Sequence, residues 1–374
     1  MSILGELTAV ATPGGVTTWA LLGDKDGASG PVTIALGQNS GFNGQANAAI
    51  ALGQNAGAGG QYAAAISIGK DAGGNIFQGA NAVAIGTSAG FDAQGTSSVA
   101  IGNSAGLTSQ GNQSVAIGDN AGATQGSTAV AIGQNAGGGV ALQGDDAVAI
   151  GHGAGENTQG TQAVAIGLYA GQTTQGIGSV AIGNSAGLTN QDAQSVAIGQ
   201  NAGETSQGNQ AVAIGVYAGQ TTQGQAAVAI GDNAGANTQG TYAVAVGQTA
   251  GFIAQGINAV AVGGLAGYLN QSNAAVAIGP SAGSGTQGLG AVAVGWLAGT
   301  TTQGANAVAI GVSAGRTSQA NNSIIINATG ANLNQTTANT FTVKPVRSVS
   351  GAVPSGFSPM YYNPTTGEII VVIP

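Results

Sequence analysis

The sequence predicts an all-β fold, a parallel β-roll or β-solenoid of about 18 coils, and three observations carry that expectation. A glycine closing a short apolar run recurs at Gly37, Gly53, Gly69, Gly86, Gly102, Gly118, Gly133, Gly151, Gly167, Gly183, Gly199, Gly215, Gly231, Gly247, Gly263, Gly279, Gly295 and Gly311. The spacing is sixteen in all but three intervals, and so short a period belongs to stacked coils rather than to a globular core. The run itself alternates Val and Ile with Ala, as in Val164-Ala165-Ile166, the two-residue rhythm of a strand. Seventy glycines and 43% apolar residues stand beside only 5% charged residues. A disordered linker would lack the valine and isoleucine, and an ordinary soluble domain would carry more charge.

Composition also excludes functions. Thirteen acidic against five basic residues give a net charge of −8, which repels phosphate backbones and anionic lipid surfaces, so no nucleic-acid binding is expected. The chain has no cysteine, hence no disulfide framework and no thiolate metal site. Its apolar stretches are five or six residues long and broken by glycine, too short to span a membrane, and the N-terminus lacks the basic-then-apolar pattern of a secretory signal. The expectation is a chain assembled in the cytoplasm without membrane insertion.

Residues 1–30 precede the repeat. Thr8–Thr12 and Thr17–Leu22 read as short strands around Pro13-Gly14-Gly15, with a turn-rich joint over Gly23–Gly27. Such a segment serves equally as a cap for the open first coil or as an attachment surface.

The repeat domain spans 31–327. Its strand is apolar on both faces, with Ala on one and Val or Ile on the other, as at Val164, Ile166, Val180, Ile182, Val212, Ile214, Val228 and Ile230. One face can line the coil. The other has nothing within a single narrow solenoid to cover it, so the pattern predicts packing against another copy of the chain. After each strand, Gly-x-x-Ala-Gly makes a corner whose two middle residues vary freely, which marks an outward, solvated turn.

Every copy then carries a glutamine, among them Gln110, Gln159, Gln175, Gln207, Gln223, Gln239, Gln255, Gln287 and Gln303. The distance from each repeat glutamine to the next strand-closing glycine is always eight, and all length variation falls between the Ala-Gly pair and the glutamine. Those eight residues are therefore locked into the stack, and the amides are placed to form a ladder along the axis or to reach backbone. The segment just before the glutamine is rich in Thr and Ser, as in Thr173-Thr174 and Thr221-Thr222. A flat hydroxyl array can bind ice or glycan, but Phe252-Ile253 and Tyr268-Leu269 interrupt it, so the segment reads as a solvated bend.

In Ser323-Ile324-Ile325-Ile326-Asn327 the alanine becomes isoleucine and the glycine asparagine, as expected of a terminal coil. Residues 328–374 form a β-rich closing or trimerisation segment. It holds a strand over Thr340–Val346 and a hairpin pairing Met360-Tyr361-Tyr362 with Glu368–Ile373 across Asn363–Gly367.

No catalytic, cofactor or metal site emerges, and the chain is not expected to be an enzyme. The lone His152 sits in a corner without a second His; Asp145, Asp146 and Glu156 are the one local acidic cluster. Asp119 and Asp232 are isolated, unlike the periodic aspartates of calcium-binding rolls. No Gly-Lys-Ser/Thr makes a nucleotide loop. Asn321, Asn327 and Asn334 begin Asn-x-Ser/Thr triplets, weak marks of glycosylation. No coil carries the inserted loops and paired carboxylates of a glycosidase.

The repeated Ser98-Val99-Ala100-Ile101-Gly102 text resembles the heads of trimeric autotransporter adhesins, the YadA-like heads, over about 32–327. That resemblance implies a left-handed parallel β-roll with three chains side by side. The tail, through Asn327-Ala328-Thr329-Gly330-Ala331, Val343-Lys344-Pro345-Val346-Arg347 and Tyr361–Ile369, resembles the segment that closes β-roll fibre proteins of large double-stranded DNA viruses and some phage tail fibres. In such fibres an autocleaving chaperone domain often follows. Together these readings predict a structural fibre or surface decoration of a virus-like particle. It would be a homotrimer at the virion surface, docked to other particle or surface proteins through an end segment and contacting a host-surface glycan or protein. The alternative is a cell-surface adhesin or extracellular filament subunit; a second is a repetitive ice- or glycan-binding protein.

Overall fold

The computed structural model describes residues 19–22, 33–139, 142–347, 360–362 and 369–371. No helix appears among them. One sheet of 21 strands runs the length of the repeat. Its first strand, Trp19–Leu22, pairs antiparallel with Thr33–Leu36; the other twenty are parallel and delimit nineteen turns. Each residue faces its counterpart in the next coil, as Val164↔Val180, Ala165↔Ala181 and Ile166↔Ile182. At the rung spacing of parallel strands the stack is ~90 Å long. The Thr8–Thr12 strand expected upstream lies outside the described residues.

The parallel ladder does not stop at Asn327. Phe341–Lys344 pairs with Ile324–Asn327, and Leu333–Gln335 extends the second sheet from Ala314–Gln319, so the coils run on into the segment read as a closing piece. The physical reason is visible in the core. Ile325 is fully buried and Leu333 nearly so, and their bulk fills the last coils. Asn327, also buried, donates from Nδ2 to the carbonyls of Val312 and Ala331, both at 2.7 Å. The asparagine amide thus ties down the loop that follows the altered strand. Met360–Tyr362 and Ile369–Val371 pair antiparallel; the turn expected between them, Asn363–Gly367, lies outside the described residues.

A second parallel sheet sits where the Thr/Ser-rich segment reads as a bend. Ten short strands, from Asn190–Gln191 to Leu333–Gln335, stack with Thr over Thr and Gln over Gln, as in Thr222↔Thr238 and Gln223↔Gln239. Earlier coils join through Ser109–Gln110 with Thr124–Gln125 and through single bridges between successive glutamines. β-branched threonine suits this extended backbone, and a regular sixteen-residue step brings equivalent amides and carbonyls into register.

Corners obey the same rule. The amide of Tyr169 donates to the His152 carbonyl at 2.9 Å in the preceding coil, and that of Gly171 to Ala186 at 2.9 Å in the following one. Corner groups that would be solvated in an isolated turn are thereby satisfied by neighbouring coils. Two glycines show why the corner text is fixed. At Gly167 (φ +131°) an added Cβ would lie 2.5 Å from the Gly183 carbonyl oxygen. At Gly171 (φ +55°) it would lie 2.7 Å from the Gln175 side chain.

Candidate functional site

Each coil offers an interior, an outer strand face, a Thr-Gln face and a corner, and the functional chemistry is divided among them. The interior holds alanine and glutamine. Ala163, Ala165 and Ala170 are wholly buried, as are their counterparts along the stack. The packing is close: a Cβ added at Gly187 would be 3.3 Å from the Ala181 Cβ. Where Ser67 replaces alanine, its hydroxyl is satisfied, donating to Gln78 Oε1 at 2.8 Å and accepting from Gln61 Nε2 at 3.1 Å.

The glutamines Gln110, Gln159, Gln175, Gln207, Gln223, Gln239, Gln255, Gln287 and Gln303 are all buried in this interior, Gln175 with 1% of its surface exposed. Each crosses the coil to the opposite strand, as Gln175 Nε2 donates to the Val164 carbonyl at 2.7 Å and Gln303 Nε2 to Val292 at 2.8 Å. Most also donate to the next coil's amide. Gln159 reaches Gln175 Oε1 at 3.1 Å, and the run is unbroken from Gln191 to Gln319. Gln110, Gln143 and Gln191 have buried Oε1 atoms without a hydrogen-bond partner, and these mark the starts of separate ladder segments. A buried amide that both binds backbone and polarises its neighbour joins sheet to sheet and coil to coil.

Val164, Ile166, Val180, Ile182, Val212, Ile214, Val228 and Ile230 point the other way. They are half-buried to exposed, with Ile214 at 37% and Ile230 at 38% exposure, while the alanine between each pair faces inward. The result is an apolar strip running the length of the rod.

On the Thr-Gln face the residues preceding the glutamines at Asn190, Ser206, Thr222 and Thr238 are exposed or partly exposed. A groove of about 300 Å³ lies here, bordered by Asn190, Asp192, Ser206, Gly208 and Thr222. Nearby, Glu204 Oε2 accepts from Gln220 Nε2 at 2.7 Å, and Glu156 Oε2 accepts from Gln172 at the same distance. Elsewhere aromatic rings stack from coil to coil. Phe252 and Tyr268 have centroids 5.3 Å apart and planes within 5°, and His152 lies 5.2 Å from Tyr169. Among the described residues no group of three or more His, Cys, Asp or Glu side chains is placed to hold a metal ion.

Sequence reasoning missed two features. The second residue of each variable corner pair takes a left-handed conformation, at φ 55° in Asn55, 54° in Ser185 and 55° in Tyr169. The frequency of Asn and Ser at that position was its signal, since short polar side chains tolerate that region best. The groove was the other, and the one aspartate at its position, Asp192, with glycine in the coils on either side, was the trace it left.

A stack of closely similar coils with a buried interior and long repetitive faces defines a repeat-built parallel β-solenoid. Within it, residues 109–136, 143–170 and 223–250 match the YadA head domain repeat. No curated protein and no solved structure matches the chain. Among the described residues no helix is long and apolar enough to cross a membrane.

Proposed function

We propose that this chain is a structural, non-enzymatic adhesin of the cell surface or extracellular space, in which three copies pack side by side along their Val/Ile strips. The observation that carries the reading is the conjunction of YadA head repeats with an apolar strip that one chain leaves half-exposed over its whole length. A contiguous apolar surface of that extent marks an interface in a soluble protein, and a rod made of one repeat presents the same strip to each copy. The comparisons lend no support to the virus-particle role expected from the tail, and they favour the adhesin reading that stood as its alternative. Attachment through an end segment and contact with a host-surface glycan or protein belong to the same proposal.

Two measurements test it. Sedimentation equilibrium of the purified chain should give a species of three 35.3 kDa subunits; a monodisperse monomer overturns the side-by-side packing. Antibody labelling of intact producing cells should place the protein outside, and coated beads should adhere to host cells or matrix. Labelling only after lysis, or beads that adhere to nothing, overturns the adhesin reading.

A further inference from the structure

Resting on that adhesin reading, we infer that the groove at Asn190, Asp192, Ser206 and Thr222 is a binding site for a neutral, extended β-linked oligosaccharide lying along the rod axis. Its volume of about 300 Å³ is at the lower end of small-ligand sites, and it is open to the surface rather than enclosed, as a polymer requires. Asn190 pairs in register with Ser206, and Ser206 with Thr222. Three polar side chains therefore stand in one column at the ~4.8 Å rung spacing. That step is close to the length of one sugar unit in an extended β-linked chain, so successive residues of the ligand meet an equivalent donor or acceptor.

The second component is Asp192. Its position, one after the ladder glutamine, is glycine in the coils on both sides, at Gly160, Gly176, Gly208, Gly224 and Gly240. One carboxylate therefore stands at the groove where the neighbouring coils have no side chain. A carboxylate accepts two hydrogen bonds from adjacent hydroxyls of a pyranose, a stronger contact than any neutral group offers. The same charge selects against anionic glycans. Residues 71–315 contain nine acidic side chains and no Lys or Arg, so a sulfated or sialylated chain would meet repulsion without a compensating base. The site is local. Two coils beyond Thr222 the column residue is Ala254, one before Gln255, which has no hydrogen-bonding side chain, so the polar column is interrupted there.

The test uses the full chain with cellohexaose and chitohexaose as β-linked probes, and maltohexaose and a heparin hexasaccharide as controls, by calorimetric titration. At least one β-linked probe should bind with a Kd between ~1 µM and ~1 mM, at least tenfold tighter than either control. Thr222→Val and Asp192→Asn should each weaken it at least tenfold. Thr302→Val, the same substitution eighty residues along the same column, should leave it unchanged. Absence of β-linked binding, stronger binding of heparin, or full affinity in both groove variants overturns the inference. Adhesion separates the two readings: beads carrying the wild-type chain that adhere, with no oligosaccharide binding, refute the groove and leave the adhesin reading standing. Beads that adhere to nothing while cellohexaose or chitohexaose still binds refute the adhesin reading and leave the groove.

Discussion

Two kinds of residue hold the coil, one by what it lacks and one by what it bonds. Gly167 has no room for a side chain, because its Cβ position lies against the Gly183 carbonyl and its φ of +131° disfavours any other residue. Gly167→Ala should cost more than ~1 kcal/mol in chemical denaturation, with the loss appearing as local unwinding of that turn in amide exchange. The glutamines act through bonds, and their unequal bonding gives a graded test. Gln207 accepts from Gln191 and donates to Val196, Ala211 and Gln223, whereas Gln191 Oε1 has no partner. Met has similar length and no amide. Gln207→Met should therefore destabilise the rod more than Gln191→Met, by about one hydrogen bond or ~1 kcal/mol, read as a difference in denaturation midpoint at equal slope. Equal losses would mean that the inter-coil bond contributes nothing. The glutamine period was legible in the sequence because eighteen copies repeat it. The interruption of the ladder was not, since it depends on side-chain distances that identical text does not encode.

At the scale of the strand, one face is turned into the coil and the other away from it. Ala165 is wholly buried inside the coil, while Val164 and Ile166 stand outside it. The alternation made this division readable in advance, because a period of two assigns each residue to a face without knowledge of the tertiary fold. The second sheet was harder to read. Two-residue strands such as Thr222–Gln223 are too short for any alternation to register, and Thr and Ser are equally common in bends. They become strands because the neighbouring coil supplies the partner. From this division follows a prediction about assembly. Ile166→Asp with Ile182→Asp places two carboxylates on the outer face without touching the alanine interior. The variant should keep the β-rich circular dichroism of the parent and lose the oligomer in sedimentation, since an unpaired charge buried at an interface costs several kcal/mol. An intact oligomer would show that this strip is not where copies meet.

For the whole molecule, what matters is that energy is shared between neighbours rather than gathered in a centre. Each coil hydrogen-bonds to the one above and the one below, and the buried alanines make one continuous cluster from Ala72 to Leu333. Stability in such an array is close to a sum of coil and interface terms, so its length is adjustable only in whole coils. Removing Gly256–Gln271, sixteen residues, joins Gln255 to Ser272. Val244–Val246 is then set beside Val276–Ile278 with glycine, alanine and glutamine columns in register. This deletion should yield a folded rod shorter by ~4.8 Å, with a thermal midpoint near that of the parent and the groove at Asp192 still in place. Removing only Gly256–Gly263 takes away the same strand but half the period. It sets corner residues where Gln255 requires the eight-residue link to its next glycine, so backbone amides and the glutamine side chains lose their partners together. That variant should lose cooperative unfolding and expose the chain to protease on both sides of the junction. If the two deletions unfolded alike, the energy would have to reside in a long-range core instead of in contacts between adjacent coils.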